Sequence, residues 1–246
     1  MEWREQNGVR WLEAELPGAR AAFSTRIGGG SEAPYDALNV GVLTGDEPDR
    51  VRENRRRLAR AIGRDPAGVV MARQAHGTEL RRHEVRQEPR VYADVVRSPE
   101  DADAQVTSNP DLTPLVMTAD CLPVAMAGPN GVAMVHCGWR GLAGGIVGRA
   151  AEEVSAEAAA IGPGIGQSCY EVGDEVLAAF ADLEGVAEGR QLDLTAVATA
   201  LLERAGVGAI ESSDLCTSCE PELLYSHRRD GERTGRQAGL VWADDG

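Results

Sequence analysis

The stretch Leu115-Val116-Met117-Thr118-Ala119-Asp120-Cys121-Leu122-Pro123-Val124-Ala125-Met126-Ala127, followed by Gly128-Pro129-Asn130-Gly131 and then Val132-Ala133-Met134-Val135-His136-Cys137-Gly138, decides the fold class. Two apolar runs flank a turn signal, which predicts a β-hairpin over Leu115–Ala127 and Val132–Gly138. With the four turn residues as the loop, Ala127 pairs with Val132, Pro123 with His136, Leu122 with Cys137 and Cys121 with Gly138. Side chains alternate between the faces of a strand, so Cys121 and His136 share a face as diagonal neighbours about 7–8 Å apart at the backbone. Cys137 points to the opposite face. A loop one residue longer or shorter would split the pair.

Working outward, the pattern predicts strands over Arg20–Arg26, Val69–Ala72, Asp103–Thr107 and Val207–Glu211. Gly28-Gly29-Gly30-Ser31 reads as a flexible loop. Helices are expected over Pro48–Ile62, Leu142–Ala160, Asp174–Leu183 and Leu194–Ala205, the last capped by Asp193. Pro48–Ile62 carries Val51, Leu58 and Ile62 on one face and many arginines on the other. Cys216–Trp242 mixes loop and strand. No linker, low-complexity segment or internal repeat divides the chain, so residues 1–246 read as one α/β (α+β) domain. Its expected core is a central mixed sheet or sandwich covered by helices.

Composition narrows the function. The chain has 246 residues and a net charge of −14, which argues against a general role on nucleic acid, because phosphate backbones need a positive surface. No apolar run approaches the length of a membrane span, and the acidic N-terminus lacks a signal-peptide core. A cytoplasmic address with no membrane partner is the expectation. All 25 basic residues are Arg, so Schiff-base lysine chemistry is excluded and any phosphate clamp must use Arg, backbone N–H or metal. Five cysteines without an export signal point away from structural disulfides.

The chemistry-bearing residues are few. His76 follows Arg73-Gln74-Ala75, Cys121 follows Thr118-Ala119-Asp120, and His136 lies in the second hairpin strand. Two imidazoles and a thiolate suit zinc and leave a fourth position open to water or substrate. Asp120 neighbours Cys121 and, in a strand, faces away from it, as a structural carboxylate rather than a base. Arg26 stands before the triple glycine and is a candidate phosphate or ribose clamp. Arg140 follows Trp139 and is either a phosphate ligand or a structural Arg. His83 sits among Arg81, Arg82 and Glu84 and reads as surface. Cys216 and Cys219 form a lone CxxC and read as structural or incidental thiols; Cys169 reads as packing near a glycine-rich turn. Gly162, Gly164 and Gly166 lack the strand–helix context of a dinucleotide fingerprint.

Several of these motifs occur together in one family. Ser24-Thr25-Arg26-Ile27-Gly28-Gly29, Leu38-Asn39-Val40, Gln74-Ala75-His76-Gly77, Asp103–Thr107, Thr118–Pro123, His136–Leu142, Gly162–Gly166, Cys169–Val172, Cys216-Thr217 and Tyr225–Asp230 appear in this order. In them the chain resembles the YfiH family, also called the polyphenol oxidase or laccase-domain family. The resemblance implies a YfiH/CNF1-like fold and a zinc ion held by His76, Cys121 and His136. It also implies purine nucleoside phosphorylase activity on adenosine, inosine, guanosine and methylthioadenosine, with adenosine deamination besides. Catalytic roles then fall to Arg26, His76 and Cys121, and substrate contacts to Arg26, Asn39, Arg140 and Arg229. The partners are a purine nucleoside and phosphate, and the expected state is a monomer or weak homo-oligomer. The chain departs from the family pattern at Ala75, Cys137 and His227, none of them an expected ligand.

Two alternatives stand beside this. Older family naming implies a copper-dependent polyphenol oxidase with Cu2+ in place of zinc. A coupled multicopper cluster needs many imidazoles, and the chain has four His in all. A single copper at an N/S site remains chemically reasonable. The other alternative is a non-catalytic zinc protein or a peptidoglycan-editing factor, which a fourth protein ligand from Cys137 or His227 would favour.

Overall fold

A computed structural model describes residues 1–96, 98 and 100–244. In chain order its strands are β1 (Glu2–Gln6), β2 (Val9–Leu16), β3 (Ala19–Ser24), β4 (Val69–Val70), β5 (Leu80–Arg82), β6 (Ala104–Thr107), β7 (Thr113–Thr118), β8 (Leu122–Gly128), β9 (Gly131–Cys137), β10 (Ala158–Ile161), β11 (Ala187–Glu188), β12 (Gln191–Leu192), β13 (Ala209–Ser212) and β14 (Gln237–Ala243). The helices are α1 (Pro48–Ala61), α2 (Trp139–Ala143), α3 (Ile146–Val154), α4 (Asp174–Ala179), α5 (Leu194–Arg204) and α6 (His227–Asp230). One mixed sheet runs β1-β2-β3-β14-β7-β4 and a second runs β13-β10-β8-β9-β6-β5; β11 and β12 form a small hairpin of their own.

Strand alternation sorts the apolar residues into layers. Leu122, Val124, Met126, Ala133, Val135 and Cys137 pack with α3 residues Val147 and Ala150 and α5 residues Val197 and Leu202. The alternate positions Ala125, Ala127, Val132 and Met134 pack with Phe23, Val116 and Val241 of the first sheet. On the far side of that sheet, Ala22, Leu115 and Leu240 meet Leu58 and Ala59 of α1. The order of layers is therefore α1, first sheet, second sheet, then α2 to α5. Gly239 lets the sheets approach: a Cβ there would lie 2.6 Å from Pro123 Cβ. The expected sandwich of mixed sheets covered by helices is what the chain forms.

The hairpin register is as read from the sequence. Ala127 pairs with Val132, Pro123 with His136 and Leu122 with Cys137, and the ladder runs on to Gly128 opposite Gly131. Three expectations need correction. Leu115–Ala127 is two strands in different sheets, β7 and β8, and the chain crosses between layers at Ala119-Asp120-Cys121. Asp120 takes φ +99 at this crossing, so the strand rule that would point it away from Cys121 does not apply. Leu142–Ala160 is not one helix: it breaks after α2 at Gly144-Gly145, and its alanine-rich end is β10, hydrogen-bonded between β8 and β13. Burial within a sheet overrides the helix propensity of Ala there. Strands β1 and β2, which carried no expectation, pair antiparallel and extend the first sheet to its edge.

Helix α1 forms as expected and does more than present an apolar face. Asn54 and Arg55 are buried on it. Asn54 Nδ2 donates to Ser31 Oγ (2.8 Å) and the Asn39 carbonyl (2.9 Å). Arg55 donates to the carbonyls of Val40 (2.8 Å), Val91 (3.1 Å) and Tyr92 (3.0 Å). These bonds satisfy loop carbonyls that burial would otherwise leave unpaired. They fix the segments that border the cavity described next. No helix among the described residues is long and apolar enough to cross a membrane.

Candidate metal centre

The layer crossing delivers Cys121 to the mouth of the sandwich, and the hairpin register brings His136 alongside it. His76 arrives from the loop after β4, in a left-handed conformation (φ +58). The donor atoms of His76, Cys121 and His136 lie within 4.8 Å of one another. The two imidazole rings meet edge to face, centroids 4.8 Å apart. Gly138 makes room: a Cβ there would lie 3.1 Å from His76 Cδ2 and 3.2 Å from Cys121 Sγ.

One carboxylate organises the cluster. Asp103, buried at the start of β6, accepts N–H bonds from Ala75 (3.1 Å), His76 (3.0 Å) and Gly77 (2.8 Å), so it shapes the loop that carries His76. Its Oδ1 also lies 2.7 Å from His136 Nδ1. With Nδ1 committed to this carboxylate, Nε2 is the nitrogen left to bind a metal, the usual carboxylate–histidine arrangement. Burial raises the Asp103 pKa, but His136 and the N–H groups of Gly77 and Ala75 bring it below the usual carboxylate value.

The cluster tunes its own protons. Burial pushes the Cys121 thiol up, yet the His136 and His76 imidazoles bring it down to about 6. Burial lowers His136, while the Cys121 thiolate and Asp103 raise it to about 9. Without metal the pair is thus a thiolate beside an imidazolium at neutral pH. Two nitrogens and a soft, easily ionised sulfur fit a zinc-type donor set. The other candidates for a fourth ligand do not join it. Cys137 is buried on the helix side of β9 with its pKa raised well above normal by burial, and among the described residues the group holds three donors.

All three donors line a cavity of about 480 Å³. Leu43, Val91, Val96, Met71 and Met117 supply apolar wall; Arg73, Arg228, Arg236, His227 and Tyr170 supply polar wall. Gln74 also lines it, but its amide is tied to the Met117 backbone at both ends (2.6 and 2.8 Å). Arg236 is pulled down in pKa by burial, with the charges of Asp120 and Cys121 opposing that pull. Asp120 accepts from Thr217 Oγ1 and from the Arg228 N–H, both at 2.6 Å, which ties the C-terminal segment to the cluster. Burial and the Cys121 charge raise the Tyr170 pKa to about 12.

The other residues singled out in the sequence sit elsewhere. Arg26 lies outside the cavity lining, donating to the carbonyls of Asp36 (2.6 Å) and Pro221 (2.8 Å) and stacked on Tyr225. Asn39 is buried, donates to Asp46 (2.9 Å), and accepts from the Gly41 and Arg236 N–H groups (both 2.9 Å). Arg229 donates to the carbonyls of Thr217 (2.7 Å) and Leu224 (2.9 Å). Arg140 is exposed, its guanidinium 4.3 Å from the Trp139 ring centre. His83, expected at the surface, is buried, with Nε2 2.8 Å from Gln105 Oε1. Just past the β5–β6 pairing, its N–H donates to the Val106 carbonyl (2.8 Å), which holds it against β6 despite its charged neighbours. The sequence reading missed Asp103, Tyr170 and Arg236 as neighbours of the cluster. An acid opening an apolar strand was the one available signal, for Asp103.

Residues 20–244 match the family model described as multi-copper polyphenol oxidoreductase laccase. A protein of Escherichia coli (strain K12) named purine nucleoside phosphorylase YfiH is 40% identical over 242 residues, covering 92% of this chain and 94% of the relative. The chain belongs to the laccase-like YfiH family. A Streptomyces coelicolor relative, also named a purine nucleoside phosphorylase, is 39% identical, with 92% of this chain and 96% of that one covered. Among solved YfiH-type structures, YlmD from Geobacillus stearothermophilus aligns with TM-score 0.85 at 32% identity over 98% of each chain. The Bacillus licheniformis YfiH structure aligns with TM-score 0.84 at 31% identity, over 98% of this chain and 99% of that one.

Proposed function

We propose that this YfiH-family chain is a zinc-dependent purine nucleoside phosphorylase acting on adenosine, inosine, guanosine and methylthioadenosine, with adenosine deamination as a second activity. The observation that carries the reading is the His76–Cys121–His136 cluster in the wall of a cavity that has both an apolar side and arginines. Zinc bound there would supply a Lewis acid. The names of the relatives support the substrate class.

The chain's own residues then divide the work. Met117, Leu43 and Val96 offer apolar surface to the faces of a purine and keep water from them. Arg228 and Arg236 bind the phosphate dianion, since the chain has no Lys and the planar fork of Arg matches phosphate oxygens. Phosphate attacks the sugar C1′ as the C1′–N9 bond breaks, and the purine leaves with a proton taken up at nitrogen. Asp103 keeps His136 and the His76 loop oriented throughout. Arg26, Asn39 and Arg229 serve in this reading as holders of the cavity walls. Asn39, for example, sets Gly41 and Arg236 through their N–H groups.

The test is metal analysis of the purified protein followed by incubation with inosine or adenosine, with and without phosphate. Phosphate-dependent release of base, lost in Cys121→Ala, supports the reading. Base release independent of phosphate would turn it to hydrolysis. No turnover with zinc fully loaded would favour a non-catalytic or peptidoglycan-editing role. Phenol oxidation that requires copper would favour the polyphenol oxidase.

A further inference from the structure

We propose that Cys169, Cys216 and Cys219 form a second metal site, a three-thiolate clip for zinc that is separate from the His76–Cys121–His136 cluster. The three sulfurs come from two segments far apart in sequence, yet all lie within 4.8 Å of one another. Cys169 Sγ and Cys219 Sγ are 3.4 Å apart. Thiolates around a tetrahedral zinc stand roughly 3.8 Å apart, given Zn–S bonds of about 2.3 Å. The triangle already has that scale, and rotamer adjustments of about 1 Å or less complete it.

The surroundings are those of a thiolate site. The Gly166 N–H donates to Cys216 Sγ at 3.2 Å, the kind of backbone bond that stabilises a sulfur anion. Cys216 and Cys219 sit on one tight turn, closed by N–H bonds from Cys219 (3.1 Å) and Glu220 (3.2 Å) to the Cys216 carbonyl. The Arg229 guanidinium donates to the carbonyls of both intervening residues, Thr217 (2.7 Å) and Ser218 (3.3 Å), bringing positive charge beside the turn. Cys219 is exposed, so solvent can fill a fourth position. Binding involves no redox change: three S–H bonds break, three Zn–S bonds form, and three protons pass to solvent. A disulfide would use only two of the three converging sulfurs.

The clip has a structural consequence. Cys169 adjoins Tyr170, and Cys216 adjoins Thr217, the residue that donates to Asp120 beside Cys121. Tyr170 and Ile165 line the metal-centre cavity. Joining the two segments ties together turns that adjoin this cavity, while the three sulfurs themselves lie outside its lining.

Zinc stoichiometry tests this. The reduced wild-type chain, loaded with Zn2+ and freed of excess, should retain two equivalents. A Cys121→Ala/His136→Ala variant should retain one, and with Co2+ that equivalent should show the intense near-ultraviolet thiolate charge-transfer band. Cys219→Ser, at an exposed position, should keep the first equivalent and bind the second roughly 100-fold more weakly or worse. Cys169→Ser should do the same, which guards against a folding defect in either variant alone. Zinc should also slow alkylation of Cys169 and Cys219 in the Cys121→Ala/His136→Ala variant. No zinc retained by the Cys121→Ala/His136→Ala variant, a second equivalent that survives both serine variants, or alkylation unaffected by zinc would each overturn the proposal; a wild-type chain holding one equivalent that this variant keeps would instead overturn zinc at the first cluster.

Discussion

Two clusters of sulfur and nitrogen donors lie in this protein, and they are built differently. His76, Cys121 and His136 hang on strands and on a loop braced by the buried Asp103. Cys169, Cys216 and Cys219 sit on turns, half-buried or exposed, braced by backbone N–H groups and one arginine. The first opens onto a cavity and mixes nitrogen with sulfur; the second is all sulfur and faces solvent. A site meant to act on a substrate needs donors fixed by a rigid frame and an open side lined by other chemistry. A site meant to hold two loops together needs only convergence. The frame, rather than the donor count, separates them.

The two clusters should differ most at Cys121. Cys121→Ala should lower phosphate-dependent release of hypoxanthine from inosine by ~1000-fold or more, with loss of tightly held zinc at that cluster. The matching Cys219→Ser change should leave that rate within about twofold, because Cys219 touches nothing in the cavity. Equal losses in the two variants would erase the distinction. The brace comes next. Asp103→Asn should weaken metal binding at the first cluster by ~10–100-fold, read by competition with a chromophoric chelator, and leave the thiol cluster's affinity unchanged.

Proton release sharpens the contrast further. In the metal-free chain, Cys121 is lowered to about 6 and His136 raised to about 9. Between those values the pair carries one proton, on His136, and a metal must displace it. Affinity at the first cluster should therefore rise about tenfold per pH unit from 6 to 9, more steeply below 6 where both groups are protonated, and level off above 9 with respect to this pair. Calorimetry in buffers of different ionisation enthalpy counts the protons. The same values set the stability of the metal-free fold. His136, raised, contributes stability that is fully present below its unfolded pKa of 6.5 and is lost as pH rises through about 9. Cys121, depressed, contributes stability that is fully present above its unfolded pKa of 9.0 and is lost as pH falls through about 6. Urea midpoints of the metal-free chain should therefore be nearly flat with respect to this pair between about pH 6.5 and 9, where folded and unfolded forms each hold one proton, whereas with saturating zinc they should rise with pH, because the zinc-bound cluster holds none.

The smallest effect is expected at Gly138. Its φ of −84° suits any residue, so Gly138→Ala adds no backbone strain. The new methyl would press on His76 and Cys121 at 3.1 and 3.2 Å. Metal affinity should fall several-fold while the unfolding free energy of the metal-free chain changes by only about 1 kcal/mol, a split that a general packing defect would not give.

Parts of this design were legible before folding. The Gly128–Gly131 turn between two apolar runs set the register that brings Cys121 and His136 to one place, because strand alternation leaves few other solutions. The same rule misread Leu115–Ala127 as one strand. Its two halves are buried and mainly apolar, and the polar break between them, Thr118-Ala119-Asp120, is too short to read as a loop between sheets. His83 was misread for the converse reason: charged neighbours masked a side chain that is buried and bonded to Gln105 of β6. The alanines of β10 looked helical because propensity is local, while their pairing with β8 and β13 is not.

By itself, then, the sequence determined the class of fold, the hairpin and the residue types able to hold a soft metal. Those follow from local rules of turn, alternation and ligand chemistry. Only the tertiary structure decided that Asp103 braces two of the ligands and that Arg228 and Arg236, rather than Arg26, line the cavity. It alone brought Cys169 to the Cys216–Cys219 turn. Each of these is a contact between segments distant along the chain, made where layers pack, and periodicity within one segment carries no record of what lies across from it.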